Sequence, residues 1–155
     1  MCYNLRFFSI MREIKLIFDN DTLDRYATYY FEQHPRAKKK PIPHPYHPSI
    51  NEWMIMKRPM MNALKGKWKS FIEWFVASQG CSNLHIERCE LAFYTYYYTN
   101  RPHDNDNSVP KFLIDGLVSS GMIVNDDNNH ITKLILESGV DTQRPRTEIT
   151  FTIYD

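Results

Sequence analysis

The sequence has little from which to build a cross-linked, membrane-spanning or repetitive protein. Its 155 residues include three cysteines, Cys2, Cys81 and Cys89, an odd number with no C-x-x-C pair. That excludes an even disulfide framework and a paired-cysteine zinc site, and it points to reduced thiols in the cytoplasm. No apolar run approaches the roughly 20 residues that a membrane span needs, so no membrane partner is expected. The opening M-C-Y-N-L-R-F-F-S-I carries no signal-peptide cleavage site. Internal repeats and extensive low-complexity tracts are missing, and no serine, cysteine or histidine constellation suggests covalent catalysis. Net charge is also scarce, at +1.

What is present is a composition that folds: 43% hydrophobic residues, with 14% aromatic. The length suits one domain with a real core, expected over residues 11–155, with residues 1–10 as an upstream extension. Charge is unevenly spread. Between residues 30 and 70, nine Lys and Arg stand against two Glu, whereas between 101 and 142 three Lys and Arg face seven Asp and Glu. A basic half beside an acidic pocket suits an enzyme that holds a polyanion and binds cations where it cuts.

Residues 13–18, E-I-K-L-I-F, alternate as a half-buried strand does. Asp21 is expected to N-cap a helix through Gln33, with Leu23, Tyr26, Ala27 and Tyr30 on its apolar stripe. Residues 34–48 contain five prolines and must form an exposed, irregular loop. Arg36, Lys38, Lys39 and Lys40 at its start can track phosphates without reading bases. His44 and His47 lack a second ligand pair, so no zinc is expected there. Ser49 or Asn51 can open a helical segment that Pro59 interrupts. From residue 60 to 77, Met61, Leu64, Trp68, Phe71, Ile72 and Phe75 follow three-and-four spacing, the mark of an amphipathic helix. Lys57, Arg58, Lys65, Lys67 and Lys69 lie on or near it as further candidate phosphate contacts, and Gly80 is placed to stop it. Residues 89–99 read as a long strand, and residues 130–138 and 147–154 as two more. The expected fold is α+β, close to α/β, a single domain with a mixed four-stranded sheet and packed helices.

The chemistry concentrates in residues 101–129, R-P-H-D-N-D-N-S-V-P-K-F-L-I-D-G-L-V-S-S-G-M-I-V-N-D-D-N-N. In extended backbone Asp104 and Asp106 point the same way. A helix over residues 108–120 carries the chain away by roughly 20 Å at about 1.5 Å per residue. Gly121 ends it, and an extended run over residues 122–125 returns, bringing Asp127 beside the first pair. Three carboxylates without a basic partner repel unless a hard cation such as Mg²⁺ lies among them. An EF-hand frame from Asp104 fails, because Val109 replaces the required glycine. Asn107 suits helix capping better than ligation. Asp115 is expected to be structural, and His103 and His130 to be ordinary loop histidines.

The order D-x-D-N, lysine, D-G-L, glycine and D-D resembles that of the RusA-type Holliday junction resolvases, or crossover junction endodeoxyribonucleases. The resemblance is best over residues 101–131 and extends from Pro48 onward. It implies a RusA-like fold and a homodimeric, Mg²⁺-dependent endonuclease of DNA recombination and repair. Mn²⁺ would be able to substitute for Mg²⁺. Such enzymes, from phages and bacteria, nick four-way DNA junctions symmetrically, which implies a cytoplasmic location. Carried over, Asp104, Asp106 and Asp127 would bind metal, with Asp126 as the alternative to Asp127, and Lys111 would be the supporting lysine. The family pattern sets that lysine three residues after the asparagine. Lys111 comes four after Asn107, consistent with an insertion near Pro110. The rival expectation is a non-catalytic or inactive DNA-binding module of the same fold.

Overall fold

The computed structural model describes residues 11–154, and the extension expected over residues 1–10 lies outside them. The described residues begin with strand β1 (Met11–Asp19), where Leu16 and Phe18 turn inward while charged neighbours turn out. Helix α1 (Asn20–Gln33) follows without a loop. Its cap is Asp19 rather than Asp21: the Asp19 carboxylate accepts the Thr22 amide, and the Thr22 hydroxyl returns to the Asp19 amide. This reciprocal pair satisfies two amides that would otherwise be orphaned, and it needs the residue at the strand–helix junction itself. Leu23, Tyr26 and Ala27 are buried, and Tyr30 packs at the margin.

The proline-rich stretch is irregular, as the sequence requires. Ser49 then caps the short helix α2 (Ile50–Trp53). Pro59 does not break the next helix but sits in its first turn, where the missing N–H costs nothing. Helix α3 (Arg58–Ser78) therefore starts two residues before the expected residue 60. Trp68, Phe71, Ile72, Phe75 and Val76 form its buried face, and Gly80, at φ +72°, takes the left-handed position just beyond its end.

Strand β2 (Cys89–Tyr97) is shorter than expected at its far end, and a 3₁₀ turn (Asn105–Ser108) and helix α4 (Lys111–Ser119) follow it. The return run makes only one bridge, Ile86 to Ile123, before strand β3 (Ile131–Val140) and strand β4 (Arg146–Tyr154). The sheet order is β1-β4-β2-β3. β4 is antiparallel to both β1 and β2, whereas β2 and β3 are parallel and joined through α4. This is one α+β domain with a mixed four-stranded sheet.

The core lies between one sheet face and the helices. Phe18 meets Phe71 and Phe75 edge-on at 5.2 and 5.6 Å between centroids. Each such fully buried ring contributes about 1.5–3 kcal/mol over leaving it in water. The other face is polar: the Glu148 carboxylate takes Lys15 at 2.7 Å and Arg146 at 2.8 Å, and the Arg146 guanidinium lies 3.7 Å over the Tyr96 ring. In the I-D-G-L segment, Gly116 lets α4 press against α3. A Cβ there would stand 2.7 Å from the Ile72 Cβ. Gly121, at φ +82°, turns the chain so tightly that a Cβ would meet the Ser82 carbonyl oxygen at 2.4 Å.

Candidate functional site

The end of β2 sets up the acidic turn. Tyr97, largely buried, stacks on His103 at 3.6 Å between centroids, holding the connection close to the sheet. Asp104 is extended, but Asn105–Ser108 then winds into the 3₁₀ turn, with the Asn107 amide donating to the Asp104 carbonyl at 3.0 Å. The Ser108 hydroxyl donates to the Asn105 carbonyl at 2.7 Å, and Ser138 on β3 donates to the Asn105 side-chain oxygen at 3.1 Å. The two-residue alternation expected to align Asp104 with Asp106 is therefore absent. Turn bonds outcompete extended backbone in a stretch so rich in Asp, Asn and Ser. Asp104 and Asp106 are both exposed, and neither carboxylate pairs with a cation among the described residues.

Helix α4 begins at Lys111, not at residue 108. Val109 is extended, at φ −58° and ψ 119°, as a residue before proline prefers, and the extra residue near Pro110 is absorbed ahead of the helix. Pro110 has no side chain with which to cap. The cap comes from far away in sequence: His47 Nε2 accepts the Phe112 amide at 3.0 Å. Its Nδ1–H donates to the Pro48 carbonyl at 2.7 Å, which fixes the tautomer as neutral. Burial pushes the His47 pKa down to about 4, because a charged ring there would lose water and could no longer accept the amide. His47 ties the proline-rich stretch to the start of α4. In the sequence it is marked only as a histidine without a second ligand pair. Only its contact across 65 residues shows its role.

Lys111 reaches Asp115 at 3.3 Å, one turn on, and Asp126 at 3.9 Å. Lys65 of α3 approaches the other Asp115 oxygen at 3.5 Å. Asp115 thus joins α3 to the lysine, a structural role as expected. Lys65 faces this network while half of its side chain stays exposed.

Asp127 turns elsewhere. Its carboxylate pairs with His130 Nδ1, accepts the Asn129 amide at 3.0 Å and accepts the Asn125 side-chain amide at 3.1 Å. The His130 contact, followed by the backbone amides, holds the Asp127 carboxyl below the usual carboxylate range. Its main-chain carbonyl also accepts the His130 and Ile131 amides, so Asp127 shapes the turn into β3. His130 is therefore not the ordinary loop histidine expected but the partner of Asp127. The D-x-x-H spacing was its only signal.

Among the described residues, no group of three His, Cys, Asp or Glu side chains is gathered to hold a metal ion. The expected meeting of Asp104, Asp106 and Asp127 is not present in this arrangement. The first pair lies on the 3₁₀ turn, and His130 holds the third. The near-octahedral oxygen shell that Mg²⁺ demands, at about 2.0–2.1 Å, is not assembled here. Of the acidic residues in the two pairs, it is Asp126 that faces the lysine.

The candidate phosphate contacts are dispersed. Arg36, Lys38, Lys39 and Lys40 are exposed on the proline-rich loop, with Lys40 paired to Asp24 of α1. Lys57 and Arg58 are exposed at the start of α3. Along α3, Arg58, Lys65 and Lys69 share one flank of the apolar stripe at spacings of seven and four. Lys67 lies on the other, lining the groove toward α1. No helix is long and apolar enough to cross a membrane among the described residues. No protein-family model matches this chain, and no curated protein sequence matches it.

Proposed function

We propose that the chain is a divalent-cation-dependent, structure-selective endodeoxyribonuclease that nicks four-way DNA junctions, working as a homodimer in the cytoplasm. The observation that carries this is the Lys111 ammonium set between Asp115 and Asp126, with the extra residue before it taken up in the turn. The lysine that the RusA-type resemblance singles out thus keeps contact with the second acidic pair despite the shifted spacing. Mg²⁺, or Mn²⁺ in its place, is the cofactor this activity calls for. Its carboxylates are not gathered in the described arrangement, so binding the ion requires Asp127 to give up His130. Lys111 then serves to offset negative charge developing on the scissile phosphate. The basic loop and Lys57, Arg58, Lys67 and Lys69 hold the DNA through its phosphates.

A second reading, a DNA-binding module of the same fold without cleavage, is favoured by the separated carboxylates. Asp106→Asn separates the two. It removes ligand charge without changing shape, so junction cleavage should fall by about 10³-fold while junction binding stays intact or tightens. Full turnover in this variant rules out Asp106 as an essential ligand, and junction binding by the wild type with no cleavage in Mg²⁺ favours the module.

A further inference from the structure

The cavity between the proline-rich segment and the end of β2 has a chemistry that the acidic turn does not use. It encloses about 430 Å³, within the roughly 300–1,000 Å³ of ligand-sized pockets. Tyr46, Tyr97, His44 and His103 line it, and Trp68 closes its floor. The rings form two flat pairs: His44 on Tyr46 at 5.5 Å and 7°, and Tyr97 on His103 at 3.6 Å and 11°. Tyr46 and Tyr97 join the pairs edge to face, at 5.1 Å and 62°, so the two flat aromatic walls meet at a corner. Polar groups converge on the same space, with Ser49, Thr99 and the exposed Glu52 carboxylate at its rim.

We propose that this cavity is a nucleobase pocket, taking one unstacked base of a DNA strand. Flat aromatic walls suit a base because every base presents a π-face, and Tyr and His both serve as stacking platforms. A carboxylate at the rim accepts the exocyclic amine of cytosine or adenine. Charge favours a nucleotide over a free aromatic ligand. Met56 lines the cavity, and the exposed Lys57 and Arg58 follow it in the chain. His103, which also lines the cavity, leads directly into Asp104. A seated base therefore has cations for its own phosphate and leaves the strand running toward the acidic turn. The inference rests on the endonuclease reading for the polymer that delivers the base, and it adds a contact by which that enzyme senses unpaired bases at a branch point.

The test is fluorescence anisotropy of the full chain in EDTA with two labelled eight-nucleotide strands of equal charge. One is oligodeoxycytidylate, and the other is the same sugar–phosphate chain without bases. Phosphate contacts are common to both, so the difference reports the base. The wild type is expected to bind the cytidylate strand about tenfold or more tightly than the base-free one, the scale of one stacked base. Tyr46→Ala is expected to erase that preference. Because His44 and His103 are exposed, the double change of both to Ala provides a variant that leaves the core untouched, and it is expected to weaken the preference as well. Equal binding of the two strands by the wild type, or a preference that survives in the variants, overturns the pocket. Junction cleavage judges the endonuclease reading separately: cleavage without base preference sinks only the pocket, and base preference without cleavage sinks only the enzyme.

Discussion

Asp104 and Asp106 stand on an exposed turn with no cation beside them, whereas Asp126 faces Lys111 and Asp127 is bound to His130 and the turn that begins β3. The first pair holds unbalanced negative charge that folding does nothing to relieve. The second pair already performs structural work, shaping a turn and meeting a lysine. The difference separates two reasons for an aspartate to occur. A carboxylate that caps or pairs is accounted for by the fold, whereas an exposed one with no partner inside the fold is free to meet one from outside. Lys111 is the link between the two regions, since it opens the helix that follows one pair and reaches the other.

Among changes that leave the acidic turn itself intact, breaking that link should have the largest effect. Lys111→Ala is expected to slow single-turnover junction cleavage by about 10²-fold, the scale of losing a charge that acts in the transition state. Lys133→Ala, on exposed β3, is expected to leave the rate near that of the wild type, so the pair tests position rather than charge.

Next comes the cap that positions Lys111. His47→Ala leaves the Phe112 amide without its acceptor, and it is expected to destabilise the fold by about 1–3 kcal/mol in urea unfolding. The wild type carries a pH signature from the same residue. The folded pKa of about 4 lies below the ordinary 6.5, so the neutral ring is the one the fold favours. Its contribution is fully present above about pH 6.5, and it is lost as the pH falls toward 4, by up to about 3 kcal/mol. Unfolding curves between pH 7 and 4 should show this loss in the wild type and a smaller one in His47→Ala.

A smaller effect should sharpen the contrast between the pairs. His130→Ala frees Asp127, so the apparent affinity for Mn²⁺, read by paramagnetic broadening of the Asp126–Asp127 amide signals, is expected to rise about fivefold, the worth of one side-chain hydrogen bond. Unchanged broadening would mean that Asp127 takes no part in holding the ion.

The smallest effect concerns the basic loop. Replacing Lys38, Lys39 and Lys40 with Ala is expected to make the slope of log K against log salt shallower by up to about 3 units, equally for junctions of any sequence. An unchanged slope would mean that the run only faces solvent.

The elements of the fold were legible where periodicity and local chemistry decide them. The three-and-four spacing from Met61 to Phe75 and the alternation in β1 each correspond to an observed element, and Gly80 ends its helix as expected. Local rules also misled. Asp21 and Asp19 are both plausible caps by type, and only the reciprocal bond with Thr22 selects Asp19. Pro59 carries two opposite meanings, breaker in a helix interior and starter in a first turn. The site was least legible, because contacts distant in sequence set its geometry. Ser138 on β3 holds Asn105, His47 caps α4, and Tyr97 pins His103. No spacing within residues 101–129 encodes these, so the residue types stood out while their arrangement did not.

The central claim is that the exposed acidic turn serves metal-dependent cleavage of branched DNA. Its most direct test incubates the wild-type chain with a four-way junction labelled on each strand in turn, with Mg²⁺ and with EDTA. Paired nicks in opposing strands, present with Mg²⁺ and absent with EDTA, are the expected result. Junction that is bound but left uncut in both conditions would contradict it.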